Sequence, residues 1–563
     1  MLTHISLPKR VRWSNILASC SFLAFTPAES LRAQVAHEAH APAHYAAGTT
    51  PVPLLRNLGR WHRRVATHDP RAQKYFDQGL RLYYAFNHAE AVRSFREAQR
   101  LDPKCVMCVW GEAIAFGPNI NAPMDAVAER QAIAATDRAR EMIVKSKASE
   151  LEVALVLALV SRYSPTALST RASRDSAYAK AMAILAEVVP TDVDVQALAA
   201  EAAMNLSPWN YWEKDKTPRQ GTLRMLAWLE RSLKAIPDHP GACHFYIHAV
   251  EAAFPDRAVA CAERLASLMP GAGHIVHMPA HIYIRVGRWA DAIESNQHAV
   301  HADAQYMDGP HTSESGFYAA AYVSHNHHFL TLAAVMAGAS QTAIAASRQV
   351  TAIITPELAR QVPLVEPLLA VPVQTLVSFG RWEEVLRSPL PPSDLRVASG
   401  HAWYARGIAF AATARFTEAS ATADSIRGVA RSLPEGEIRA TMDIAALLVD
   451  GEIALRRRET SRAIALFSAA KVLEDGLSYM EPPTWYYPVR HSLGKALLAA
   501  DRANEAEHVY REDLQRFPEN GWSLRGLALA LSAQKRTREA QVVLDRFAKA
   551  WRRADVTISA SRY

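Results

Sequence analysis

Past its N-terminal residues the sequence lacks any apolar run near the roughly 18 residues that cross a bilayer, so nothing there reads as a membrane helix. It lacks the apolar and polar alternation of β-strands, which excludes a sheet-based fold. A dominant charge is also missing. The 63 Lys and Arg against 56 Asp and Glu leave +7, spread along the chain instead of gathered into a basic stripe with aromatics, and this argues against a nucleic acid partner. Catalytic signatures are absent too. HExxH fails because Phe245 follows His244, and no GxSxG elbow, Walker loop or dinucleotide glycine pattern occurs. The chain offers no established catalytic signature, and the reading leans against an enzyme.

Cysteine is scarce, with five in 563 residues. Cys20 lies in the N-terminal segment, where Lys9, Arg10 and Arg12 precede a short apolar stretch from Ile16 to Phe25. That order, followed by small residues near Ala28 and Ala33, reads as an export signal over 1–33 and places the protein in the periplasm or at the outer membrane. Leu17-Ala18-Ser19-Cys20 offers lipidation of Cys20 as the alternative to simple cleavage. The remaining cysteines are Cys105, Cys108, Cys243 and Cys261, either two disulfides or buried thiols. Val109 stands where haem attachment to Cys105 and Cys108 would need histidine.

Residues 34–60, rich in Ala, His, Pro and Thr, read as a disordered linker; its His37, His40 and His44 are expected to be incidental. From residue 61 to 563 helical patterns about a dozen residues long recur between short breaks, which predicts an all-α body. Tyr75, Gly79, Leu82, Ala91, Phe95, Ala98 and Pro103 fall at the spacing of a 34-residue tetratricopeptide unit. Small residues let two helices approach, Phe95 fills the gap to the next unit, and Pro103 stops the second helix. Similar registers near 72–105, 273–306, 400–433, 444–477 and 487–520 predict one continuous α-solenoid.

Many of the 22 histidines fall between residues 244 and 328. His244, His248 and Glu251 share one helical stripe. His274, His277 and His281 follow, then His325 and His328, with Met278 and Pro279 inside the second group. The repeat register puts the later histidines on successive first helices, facing one cavity in the concave groove. Pro279 should interrupt its helix, so that His274 and His277 sit in a capping turn. Two readings stand side by side. Imidazoles, Glu251 and the softer Met278 sulfur could bind zinc, iron or copper, the sulfur favouring copper(I). Alternatively the histidines knit helix to helix or line a groove for a peptide. Tyr83, Tyr84, Trp485, Tyr486 and Tyr487 are aromatic candidates for such a groove; the blander account of the last three is packing against the neighbouring unit.

The segments Tyr75–Pro103, Trp110–Asn121, His244–Glu251, Ala272–Trp289, His325–Leu330 and Pro482–Leu498 together resemble a family of exported bacterial tetratricopeptide repeat proteins. The HxxxHxxE, AGHxxHMPxHIY and HNxHFL motifs carry most of the likeness. The resemblance implies the solenoid and export and supplies no reaction. The leading expectation is a periplasmic scaffold that binds a protein or peptide in its concave groove. The alternative is a metal-binding protein or metalloenzyme built on the histidines.

Overall fold

Phe95 is held between two glycines. A Cβ on Gly79 would come within 2.7 Å of its ring, and one on Gly111 within 2.4 Å. The ring therefore locks three successive helices, Pro70–Tyr84, His88–Leu101 and Val106–Ala115, at a separation that any larger residue would widen. Tyr510 plays the same part between Gly494 and Gly526, where added Cβ atoms would meet it at 2.4 and 2.2 Å. These contacts give physical content to the glycine and aromatic positions of the repeat.

The computed structural model describes residues 52–146, 148–164, 169–309, 316–485 and 487–563. The expected signal segment, Cys20, the histidines at 37, 40 and 44, and Tyr486 lie outside them. From Pro70 to Ala550 helix follows helix, each packed on its neighbour. Among the described residues there is no strand, only two isolated bridges, Asn119 with Ala122 and Trp212 with Pro218. The architecture is an all-α solenoid of tetratricopeptide-like pairs. No helix among the described residues is long and apolar enough to cross a membrane.

The expected registers correspond to helix pairs such as Arg396–Ala412 with Phe416–Ser432 and Val489–Ala499 with Ala503–Arg516. In the unit near 273–306 the first helix is split into Gly273–His277 and Pro279–Arg285, since Pro279 has no N–H to carry the helix through. His274 and His277 thus lie on a short helical turn of their own, with Met278 as the joint.

Residues 52–60, within the segment read as linker, carry no regular element but are packed. Val52 and Pro53 carbonyls accept from Tyr75 Oη at 2.8 Å and Gln78 Nε2 at 2.9 Å, and Leu58 is buried. The C-terminal repeats also return to the middle of the chain. Trp522 Nε1 donates to the Val335 carbonyl at 2.8 Å, and Trp289 Nε1 to that of Pro518 at 2.7 Å. The last residues tuck inward: Arg562 donates to Ser492 Oγ at 2.7 Å and Tyr404 Oη at 3.1 Å.

Both remaining cysteine pairs are joined, Cys105 to Cys108 and Cys243 to Cys261. The second ties the helix Pro240–Val250 to Val259–Leu268 immediately beside His244.

Candidate metal centre

Three elements bring six imidazoles together. Pro240–Val250 carries His244 and His248, with Glu251 at its C-terminal cap. The split helix carries His274, His277 and His281, and Ser324–Met336 carries His325. Neighbouring rings lie 4.8 to 6.2 Å apart between centroids, in one continuous cluster. The open groove expected from the repeat register is not what these side chains face. His244, His248, His274, His277 and His281 are all buried, and His325 alone of the six is partly exposed.

Aromatic rings close the cluster from several sides. Phe86 lies 4.5 Å from His244 and 5.5 Å from His274. Phe329 lies 4.4 Å from His281 and 4.6 Å from His277. Trp209 meets His248 edge-on at 4.8 Å, and Tyr322 lies 4.7 Å from His274. These rings exclude water and hold the imidazoles by packing.

Hydrogen bonds fix the tautomers. His244 Nδ1 donates to the Tyr84 carbonyl at 2.7 Å. Asn296 Nδ2 donates to the Ala292 carbonyl, which turns its Oδ1 towards His277 Nδ1, 2.7 Å away. Glu251 accepts from two imidazoles, His281 Nδ1 at 2.6 Å and His248 Nδ1 at 3.1 Å. In these four rings the Nδ1 proton is committed to an oxygen, so each Nε2 carries its lone pair whenever the ring is neutral. This is the outer-shell pattern that orients histidines towards a metal.

The freed nitrogens converge. His277 Nε2 lies 2.9 Å from His281 Nε2, and His274 Nε2 lies 3.1 Å from His244 Nε2. Nitrogens bound to one tetrahedral zinc at about 2.0–2.1 Å stand roughly 3.3 Å apart, so this spacing is close to a ligand set. His248 Nε2 and His274 Nδ1 have no protein partner, which is costly for buried polar atoms unless something else satisfies them.

Burial and the neighbouring imidazoles hold His244, His248, His274, His277 and His325 well below the usual histidine pKa, as the neutral rings a metal needs. His281 differs. Burial opposes its charge, but Glu251 and Glu481 outweigh burial and raise it to about 9. A protonated His281 can donate Nε2–H to His277, which keeps two lone pairs from facing each other without a cation.

Several expected residues take other roles. Glu251 anchors two imidazoles through their Nδ1 protons and is an outer-shell group in this geometry. His328 belongs to none of the convergent sets of donors, and burial lowers it to about 4. The described aromatic candidates for a partner groove, Tyr83, Tyr84, Trp485 and Tyr487, are buried and face inward. Tyr84 Oη donates to Asp194 at 2.6 Å, Tyr83 stacks on His88 at 4.9 Å, Trp485 packs edge-on to Tyr404, and Arg562 covers the Tyr487 ring. They offer no surface to a peptide because the chain's own side chains fill the space.

Other participants give little signal in the sequence. Glu481 reaches His281 Nδ1 at 3.4 Å from the loop after the helix Thr460–Gly476, and Tyr479 donates to the same carboxylate. Asp303 holds the frame: it accepts from Tyr318 Oη at 2.9 Å and Asn326 Nδ2 at 2.7 Å, beside Gly273. The HNHH motif marks Asn326, but no pattern marks Asn296, Asp303 or Glu481.

No family model matches the sequence, and no curated protein matches it. Among solved structures, the chain is similar to a human IFIT1 dimer with m7Gppp-AAAA, at 12% identity over 86% of this chain and 91% of that one, TM-score 0.32. It is also similar to yeast Tom70, at 11% identity over 86% and 93%, TM-score 0.28. Likeness at that level carries no argument about partner or reaction, and the fold stands on this chain's own helix pairs.

Proposed function

We propose that this protein is a transition-metal protein whose repeat scaffold encloses a polyhistidine centre built from His244, His248, His274, His277, His281 and His325. The observation that carries the reading is the commitment of four Nδ1 protons to oxygen acceptors while the Nε2 atoms converge. Neutral imidazole suits zinc, iron and copper alike, and the ligand set favours none of them decisively. A peptide-binding groove is the less supported reading, because Tyr83, Tyr84, Trp485 and Tyr487 are buried among the chain's own residues.

Export to an oxidising compartment belongs to the same proposal. It is supported by the N-terminal charge and apolar pattern and by the two joined cysteine pairs. A protein partner, if one binds, would meet the solvent-facing surfaces of the scaffold.

The test is elemental analysis of protein purified without an affinity tag or chelator, alongside a His248→Ala, His281→Ala double variant. Stoichiometric metal that the variant loses while its far-ultraviolet helical signal is intact supports the reading. Metal-free protein that also fails to take up Zn²⁺, Fe²⁺ or Cu⁺ on reconstitution overturns it.

A further inference from the structure

We infer that the cluster holds two metal ions, one on His244, His248 and His274 and the other on His277, His281 and His325, with Glu251 shared between them. The inference deepens the metal reading above and rests on it.

The donor atoms fall into separate sets. One nitrogen from each of His244, His248 and His274 lies within 4.8 Å of the other two, and the same holds for His277, His281 and His325. An ion binding nitrogen at about 2.0–2.1 Å needs all its donors within roughly 4.2 Å of one another, even when two stand opposite. The six imidazoles come within 4.8 Å of one another as two trios and not as one set, so each trio is within a small inward shift of that limit. A third grouping, His248, Glu251 and His281, draws one histidine from each trio. Its imidazoles, however, turn Nδ1 towards Glu251 and so present Nε2 to their own trios.

Glu251 is therefore a link. One oxygen accepts from His248 of the first trio and the other from His281 of the second. The trios also touch directly, with His274 and His277 rings 5.9 Å apart and His248 and His281 rings 5.3 Å apart. Two ions held here are neighbours, and their charges are moderated by one buried carboxylate, with Glu481 beside the second trio.

Three protein ligands leave each ion with an open position, the arrangement of reactive sites and not of closed structural ones. The surrounding rings of Phe86, Trp209, Tyr322 and Phe329 restrict what fills those positions to a ligand of a few atoms. The chemical class is a small anion or water-derived oxygen ligand shared by two ions, and His325, the partly exposed member, marks its side of approach.

The experiment uses the full chain, stripped of metal and reconstituted with Zn²⁺ or Co²⁺, with metal per chain measured against amino-acid analysis. Two ions per chain are expected, and the dicobalt form should show magnetic coupling by electron paramagnetic resonance and a new charge-transfer band with azide. His244→Ala with His274→Ala, and separately His277→Ala with His325→Ala, should each bring the stoichiometry to one and abolish coupling. One ion per wild-type chain overturns the pair while leaving the metal reading in place; none overturns both. Loss of all metal from both double variants, with helical signal and thermal midpoint unchanged, shows that the trios do not bind independently and overturns the assignment of one ion to each. Should the variants fail to fold, wild-type stoichiometry and coupling decide the matter alone.

Discussion

The Glu251 carboxylate lies 2.6 Å from Nδ1 of His281, and its other oxygen accepts from His248. A carboxylate can accept from both rings, whereas a glutamine amide presents one acceptor and one donor. In Glu251→Gln, one imidazole has to move its proton to Nε2 and ceases to be a ligand. Zinc affinity should fall about 10- to 100-fold at one site, as losses of such outer-shell groups do. A chelator-competition titration measures it, and an unchanged isotherm would refute the anchoring role.

Gly273 leaves room for Asp303. A Cβ there would stand 1.8 Å from Asp303 Oδ1, a buried carboxylate held by Tyr318 and Asn326. Gly273→Ala should destabilise the fold by about 1–3 kcal/mol, the usual range for overpacking, and should weaken metal retention, because His274 is the next residue. Urea unfolding of the metal-free variant checks the first effect. A midpoint equal to that of the wild type would contradict it.

Asp194 binds the first repeat to the body of the solenoid. It accepts from Tyr84 Oη at 2.6 Å, Trp61 Nε1 at 3.1 Å and Arg63 Nη1 at 3.0 Å, and lies 3.3 Å from His239 Nε2. Burial alone would raise its pKa, but His239, Arg63 and Tyr84 outweigh burial and hold it well below the usual carboxylate range. A depressed folded pKa means stability present above the unfolded value near 3.9 and lost as pH falls through the folded one. Asp194→Asn should cost roughly 1–3 kcal/mol at neutral pH by weakening the charge-assisted bonds from Tyr84, Trp61 and Arg63, whose guanidinium keeps Asp192. Between pH 5 and 3 it should lose less stability than the wild type, as urea titrations at each pH would show; parallel slopes would argue against the assignment.

The bond between Cys243 and Cys261 closes a short loop next to the first trio. Removing it with Cys261→Ser should cost about 3 kcal/mol through the unfolded chain, since loops of this size gain that much from cross-linking. Reductant should also lower the thermal midpoint of the wild-type protein by more than that of the variant, which keeps only the Cys105–Cys108 bond. Equal responses in the two would show that the bond contributes nothing.

Much of the fold is legible in the sequence because repeat packing is local. Gly79, Ala91 and Phe95 meet within one unit, so their spacing carries the contact. The stripe of His244 and His248 is legible for the same reason, being a helix periodicity. The break at Pro279 also follows from a single missing N–H.

What the sequence hides depends on contacts across distant segments. Glu251 reads as a ligand because it extends the histidine stripe, and only the position of His281, from another helix, shows that it orients rings instead. The burial of the site follows in part from Phe86 and Trp209, which lie far along the chain from the histidines they cover. Tyr487 looks available in a single repeat, and only the returning Arg562 shows its ring covered.

The aromatic enclosure has a kinetic meaning as well as a structural one. An ion bound behind Phe86, Trp209 and Phe329 would leave only when those rings and the helix Ser324–Met336 part, so its escape would keep the clock of that opening. The rate at which a strong chelator strips the protein should then level off as chelator is added, and the plateau should track temperature as a conformational event does.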